Sequence, residues 1–140
     1  MARELFVDAS AWIALADKSD SFHAPAAKIY PQLLTDYQRL ITTNLVVAEV
    51  YIVVRVELGH AAATAFLESV RDSPRIEKIF STRAMEEQAE TILRKYDDQD
   101  FSYADAVSFA LMKERGIKEA FAFDKHFLTM GLRCIPARGS

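Results

Sequence analysis

The chain has 140 residues, 51% of them hydrophobic and 26% charged, which is typical of one soluble globular domain spanning residues 1–140. Its net charge of −3 and its lack of low-complexity tracts exclude a strongly basic or disordered protein. The lone Cys134 cannot form an intramolecular disulfide, and Asp8 interrupts the N-terminal apolar stretch that imitates a signal peptide. With no run of 18 apolar residues, we expect a cytoplasmic protein without a membrane span.

The first half of the chain alternates short apolar strands with helices. The sequence predicts a strand at Glu4–Asp8, a helix capped by Ser10, a helix over His23–Asp36 and a strand at Arg39–Thr42. The Val-rich segment Asn44–Leu58 has the propensity of a buried strand. Its length and the terminator Gly59 nevertheless favour a helix, and a helix is our prediction.

The second half continues this alternation. We predict helices over His60–Arg71, Thr82–Tyr96 and Ser102–Arg115, and strands at Ile76–Phe80, Ala120–Phe123 and Arg133–Ile135. Strands that alternate with long helices indicate an α/β fold, in which both faces of a parallel sheet are covered. Such folds bind ligands beyond the carboxyl ends of the strands, where the strand order reverses.

Three acids follow predicted strands or begin a predicted helix. Asp8 and Asp124 lie at the carboxyl ends of two strands, where this architecture binds its ligands. Each could instead merely cap the helix that follows its strand. Asp105 is the third residue of the "SYAD" helix start, so it could complete a capping box with Ser102.

Glu49 is unusual because it lies within the most apolar predicted helix. A lone ionised carboxylate in such surroundings costs several kcal/mol unless it is paired or binds a metal. The alternatives to a metal are a salt bridge, for example to Arg55, and a protonated glutamic acid.

Four carboxylates gathered at one edge of a sheet would repel one another unless a cation lay between them. Oxygen ligands suit Mg²⁺ or Mn²⁺, and the chain lacks the Cys and His groupings that bind zinc. Such ions can activate water and stabilise the leaving oxygen in phosphodiester hydrolysis. If four acids occupied one site, the rest of the chain would carry 16 acidic and 17 basic residues. The remaining surface would then be nearly neutral and could contact a phosphate backbone.

Four stretches resemble the PIN-domain ribonucleases, and most closely the VapC-type toxins of toxin–antitoxin pairs. They are "FVDASAWIALAD", "ITTNLVVAEVYIVVRVELG", "FSYADAVSFALMKERGIKEAFAFDKHF" and "GLRCIP", with gaps of 41, 56 and 19 residues between successive acids. The resemblance implies a three-layer α/β/α sandwich around a short central parallel sheet. It also implies a Mg²⁺-dependent endoribonuclease in which Mn²⁺ substitutes, an RNA substrate, a cognate VapB-type antitoxin that occupies the acidic cleft, and a homodimer.

The same resemblance assigns roles to individual residues. It implies that the catalytic, metal-binding acids are Asp8, Glu49, Asp105 and Asp124. Ser10 would orient water or metal, with Thr43 and Ser102 as weaker candidates for that role. Lys125 and His126 could contact RNA phosphate, or they could simply begin a solvated helix.

Three other functions compete with the toxin interpretation. A PIN nuclease could work in RNA processing without an antitoxin, and a small reading frame directly upstream of the gene would separate the two. A non-enzymatic receiver-like module needs paired acids near its first strand, where this chain has only Asp8. A metal-independent ribonuclease needs two cooperating histidines, and the three histidines here show no paired pattern.

Overall fold

The computed structural model of the chain describes residues 3–137. In this part of the chain five strands form one sheet: β1 (Glu4–Val7), β2 (Arg39–Thr43), β3 (Ile76–Ile79), β4 (Glu119–Phe121) and β5 (Arg133–Ile135). The helices are α1 (Ala9–Ala16), α2 (His23–Asp36), α3 (Asn44–Leu58), α4 (His60–Asp72), α5 (Arg83–Lys95), α6 (Tyr103–Arg115) and α7 (His126–Thr129). No described helix is long and apolar enough to cross a membrane.

The sheet is parallel throughout, with the strand order β3-β2-β1-β4-β5. Crossovers between parallel strands are right-handed, so α1 to α4 cover one face and α5 and α6 cover the other. The predicted α/β sandwich around a short parallel sheet is confirmed. The chain runs outward from β1 in one direction and then returns to β4 on its other side, which makes the β1–β4 boundary the point where the order reverses.

The central strand β1 is buried on both faces. Leu5, Phe6 and Val7 are completely inaccessible to solvent, as expected for an inner strand of a parallel sheet. The Phe6 ring stacks on Phe127 at a centroid distance of 6.0 Å, and Phe109 packs edge-on against Phe127 at 5.1 Å. These aromatic contacts fix α6 and the chain after β4 against the carboxyl end of β1.

Segment 44–58 is a helix, as predicted, despite its Val-rich composition. Thr43 caps α3, because its Oγ1 accepts a hydrogen bond from the Val46 N–H at 3.1 Å. Gly59 ends the helix with φ +98°, a conformation that favours glycine. The stripe Val46, Val50 and Val54 is buried, so helical packing outweighs β propensity here.

Two local predictions were wrong. Ser10 does not cap α1: the cap is Asp8, which accepts from the Ser10 N–H at 3.2 Å, because the helix already begins at Ala9. The fourth strand ends at Phe121 and not at Phe123. The Phe123 N–H donates to the Ser10 hydroxyl at 3.0 Å, so it does not extend the strand ladder.

Candidate functional site

The carboxyl ends of β1 and β4 bring Asp8 and Asp124 to the same edge of the sheet. Strands β1 and β4 pair in register with Phe6 opposite Ala120 and Val7 opposite Phe121. The Asp8 N–H donates to the Phe121 carbonyl at 3.0 Å, which continues the ladder to the first acid. Asp8 therefore lies at the crevice where this fold class binds ligands, and Asp124 follows β4 by three residues.

Ser10 joins the two strand ends. Its hydroxyl donates to Asp8 Oδ2 at 2.7 Å and accepts from the Phe123 N–H at 3.0 Å. Asp8 is buried, with 3% of its surface exposed, so these contacts hold its carboxylate in one orientation. Asp8 therefore caps α1, as the alternative interpretation predicted, and it also lies in the crevice.

Asp105 also combines a cap with a place in the cluster. The Ser102 hydroxyl accepts from the Asp105 N–H at 3.0 Å, and Asp105 Oδ2 accepts from the Ser102 N–H at 3.0 Å. The predicted capping box therefore exists. The residue is 7% exposed, and the capping box orients its carboxylate.

His126 lies between two of the acids. Its Nδ1 is 2.9 Å from Asp105 Oδ2 and 3.9 Å from Asp124 Oδ1, and its backbone N–H donates to Asp124 Oδ1 at 2.9 Å. The ring also packs edge-on against Phe101 at 5.3 Å. The sequence predicted for His126 either an RNA contact or a solvated helix start, and did not predict this contact with Asp105. The position of His126, two residues after Asp124 at a helix start, could have indicated that its ring lies near the acids.

Glu49 is coupled electrostatically to two of the other acids. Burial raises the pKa of Glu49, and the charges of Asp105 and Asp124 raise it further. The alternative ion pair between Glu49 and Arg55 is not among those found in residues 3–137. Glu49, on the helix that directly follows β2, therefore interacts electrostatically with Asp105 and Asp124.

Asp8 and Asp105 respond in the same way. Burial raises the pKa of Asp8 well above its usual value, and the charges of Asp124 and Asp105 add to the rise. Burial also raises the pKa of Asp105, with a further contribution from Asp124 against the lowering hydrogen bond from Ser102. The neighbouring carboxylates thus repel one another, and His126 offsets part of this repulsion at Asp105. A cation would relieve the rest.

The donor chemistry of the cluster fits a divalent metal ion. Asp105, Asp124 and His126 offer ligand atoms within 4.8 Å of one another. Asp8 and Glu49 are not in this group of ligand atoms, and both are coupled to it through the charges of Asp105 and Asp124. Carboxylates are the ligands that hard divalent cations prefer. The arrangement could therefore hold a metal ion beside an open edge of the sheet.

The remaining predicted residues differ in exposure. Thr43 is fully buried and its hydroxyl caps α3. Lys125 is exposed at the start of α7. The auxiliary role of Thr43 and the RNA contacts of Lys125 and His126 stay predictions. Trp12 and Phe127 are core residues.

Comparison with known proteins decides the family. The PIN-domain profile matches residues 5–131. The chain belongs to the PIN-domain family. It is 34% identical over 127 residues to the 23S rRNA-specific endonuclease VapC20 of Mycobacterium tuberculosis, in strains CDC 1551 / Oshkosh and ATCC 25618 / H37Rv. The match covers 91% of this chain and 94% of the relative.

Solved structures agree with this PIN-domain assignment. The crystal structure of M. tuberculosis VapC20, described as a sarcin–ricin loop cleaving toxin, has a TM-score of 0.85 at 33% identity and covers 91% of this chain and 95% of its own. The structure of FitAcB from Neisseria gonorrhoeae has a TM-score of 0.63 at 14% identity, covers 93% and 95%, and supports the fold alone. The identification of this PIN-domain protein as a VapC-type ribonuclease is confirmed.

Proposed function

We propose that the protein is a Mg²⁺-dependent endoribonuclease toxin that works as one nuclease domain, with Mn²⁺ able to substitute. The metal ligands would be the four acids Asp8, Glu49, Asp105 and Asp124. One observation carries this proposal: ligand atoms of Asp105, Asp124 and His126 lie within 4.8 Å of one another at the crevice between β1 and β4. The charges of Asp105 and Asp124 also raise the pKa of Asp8 and Glu49. Such a cluster binds protons or cations readily, and at neutral pH a divalent ion is the better partner.

Each side chain of the cluster has a distinct task in hydrolysis. The bound ion would activate a water molecule and stabilise negative charge on the scissile phosphate. Ser10 holds Asp8 in orientation, and Ser102 and His126 hold Asp105. Lys125, exposed at the start of α7, would contact the RNA backbone. Attack in line on phosphorus would leave a 5′-phosphate and a 3′-hydroxyl, and no histidine base is required.

Removal of the metal tests this chemistry. We expect EDTA to abolish RNA cleavage by the purified protein, and Mg²⁺ or Mn²⁺ to restore it. The measurement is gel analysis of a labelled RNA, with the 5′ and 3′ ends of the products identified. Cleavage that persists in EDTA would instead favour a metal-independent mechanism.

We propose ribosomal RNA as the substrate, and the sarcin–ricin loop as the first region to examine. The support is the similarity to VapC20, whose names describe a 23S rRNA-specific endonuclease and a sarcin–ricin loop cleaving toxin. RNA recovered from cells after brief induction, with its new ends mapped, tests this proposal. Ends that fall mainly in transfer or messenger RNA would contradict it.

The cognate partner would be a VapB-type antitoxin that covers the acidic cleft. A second contact area lies along α1, where an apolar groove of ≈ 550 Å³ opens between α1, α2 and α4. Its lining includes Trp12, Leu15, Tyr30 and Phe66, with Ala65 exposed at its edge. An antitoxin segment with basic residues for the carboxylates and apolar residues for the groove would complement both surfaces.

The antitoxin proposal is tested by co-expression with the small reading frame expected immediately upstream. Ala65→Arg should fill the groove and weaken neutralisation by that partner while ribonuclease activity is retained. Ala61→Arg, exposed on the same helix and outside the groove lining, is the matched control. Absence of such a reading frame, or full neutralisation of both variants, would favour a PIN nuclease of RNA processing or a different binding surface.

We also propose a homodimer in the cytoplasm. On α3, Ile52 and Val56 are four residues apart on one face and are 61% and 75% exposed. A two-fold axis would bury this face against its own copy. Light scattering after size exclusion should give a dimer for the wild type and a monomer for Ile52→Glu, with Leu67→Glu on α4 as the control. A monomeric wild type would contradict this proposal.

A further inference from the structure

His126 sits where a metal ligand would sit, and not only where a carboxylate partner would. Its Nδ1 is 2.9 Å from an oxygen of Asp105 and 3.9 Å from an oxygen of Asp124. Neighbouring ligands of an octahedral ion with bonds of about 2.1 Å are about 3 Å apart, and opposite ligands about 4.2 Å. Both distances at His126 fall within this range, and the ligand atoms of all three residues lie within 4.8 Å of one another. A small inward movement of the carboxylates would let one ion contact all three side chains.

The imidazole is also fixed in place before any ion arrives. The His126 backbone N–H is bonded to Asp124 Oδ1, and the ring is packed against Phe101. The side chain is 20% exposed, so the ring is largely enclosed. A preorganised ligand loses less conformational entropy on binding a metal than a mobile one does.

We propose that His126 is a nitrogen ligand of the metal ion, bound through Nδ1 together with Asp105 and Asp124. This inference rests on the proposed metal-dependent function. An imidazole ligand shifts the preference of the site away from Mg²⁺, which takes oxygen ligands, and toward first-row transition ions such as Mn²⁺. An ion bound there would replace the hydrogen bond between His126 Nδ1 and Asp105 Oδ2, and the neutral ring would carry its proton on Nε2.

A competing role would keep His126 outside the coordination sphere. In that role Nδ1–H continues to donate to Asp105 Oδ2 while the ion binds other oxygens, as partners of metal ligands often do. The two roles differ in one measurable property. Only direct coordination places a histidine nitrogen within bonding distance of the ion.

Pulsed electron paramagnetic resonance of the tag-free protein loaded with Mn²⁺ alone separates these roles. We expect ¹⁴N echo modulation from a coordinated imidazole, and its disappearance in protein labelled with ¹⁵N-histidine. The modulation should vanish in His126→Gln and persist in the double variant His23→Gln/His60→Gln, which removes the chain's other two histidines. Titrations should show a Mn²⁺ dissociation constant raised roughly tenfold or more in His126→Gln, with a smaller change for Mg²⁺.

Several outcomes would overturn the inference. They are bound Mn²⁺ without ¹⁴N modulation in the wild type, modulation that survives in His126→Gln, and failure of the folded protein to bind Mn²⁺. Failure of the nuclease proposal has a different signature, because RNA cleavage would then continue in EDTA whatever the spectrum shows. Circular dichroism of His126→Gln establishes that a lost signal does not come from lost folding.

Discussion

Asp8 is both a helix cap and the most deeply buried acid of the cluster. Its cap function requires only an oxygen acceptor for the Ser10 N–H and hydroxyl, and a neutral amide can supply that acceptor. Its metal-binding function requires the negative charge. The two functions can therefore be separated by a change that removes the charge and keeps the oxygen.

Asp8→Asn should abolish cleavage without loss of folding. The amide oxygen keeps the cap, while removal of a buried charge relieves repulsion from Asp124 and Asp105. We expect the free energy of unfolding in EDTA to stay equal or rise by about 1 kcal/mol, measured by urea denaturation. Asp98→Asn, in an exposed loop, is the control and should retain activity. An unfolded Asp8→Asn would show that capping is the residue's main contribution.

At the level of residues, the strand ends predicted that Asp8 and Asp124 lie at one edge of the sheet, but not how their carboxylates are held. The acids after β1 and β4 could be placed because strand ends of a parallel sheet meet at one edge. Ser10 links Asp8 to Phe123 through two hydrogen bonds. Ser10 and Phe123 are 113 positions apart in the sequence, so no local rule predicts this link. The same is true of the contact between His126 and Asp105, which depends on the packing of α7 against α6.

Among the elements, α3 shows how burial and capping decide between helix and strand. Local propensity favoured a strand, but Thr43 and Gly59 mark the ends of a helix, and the buried valine stripe has helical spacing. The boundary of β4 was harder to predict, because the strand ends where the Phe123 N–H finds a side-chain acceptor on α1. Long periodic elements were therefore predictable, and short ones that end at tertiary contacts were not.

The role of Thr43 can be tested at the scale of its helix. Thr43→Val keeps the shape but leaves the Val46 N–H without its buried acceptor, so we expect a loss of about 1–2 kcal/mol in unfolding free energy. Thr43→Ser keeps the hydroxyl and should lose less. Metal-dependent cleavage by folded Thr43→Val, assayed below its unfolding midpoint, should match the wild type. Inactivity in the folded variant would instead support a direct role at the site.

For the molecule as a whole, the acid cluster makes the free energy of unfolding depend on both pH and metal, because protons and the ion bind the same carboxylates. The folded-state pKa values of Asp8, Glu49 and Asp105 are raised, so the folded protein binds more protons than the unfolded chain above about pH 4. The contribution of these groups to stability is therefore complete below the unfolded pKa values and is lost as pH rises through the folded ones. A bound divalent ion would restore it, because it takes the place of those protons.

Thermal unfolding at pH 5 and pH 7.5 measures this link. In EDTA, we expect the cluster to lower the midpoint at pH 7.5 relative to pH 5, and Asp8→Asn to show a smaller decrease because one of the raised groups is gone. Mn²⁺ should raise the midpoint more at pH 7.5 than at pH 5, since protons compete with the ion for the same carboxylates. Asp98→Asn should behave like the wild type, because its side chain is exposed outside the cluster. Equal stabilisation by Mn²⁺ at both pH values, or in Asp8→Asn and the wild type alike, would mean that the ion binds elsewhere on the protein.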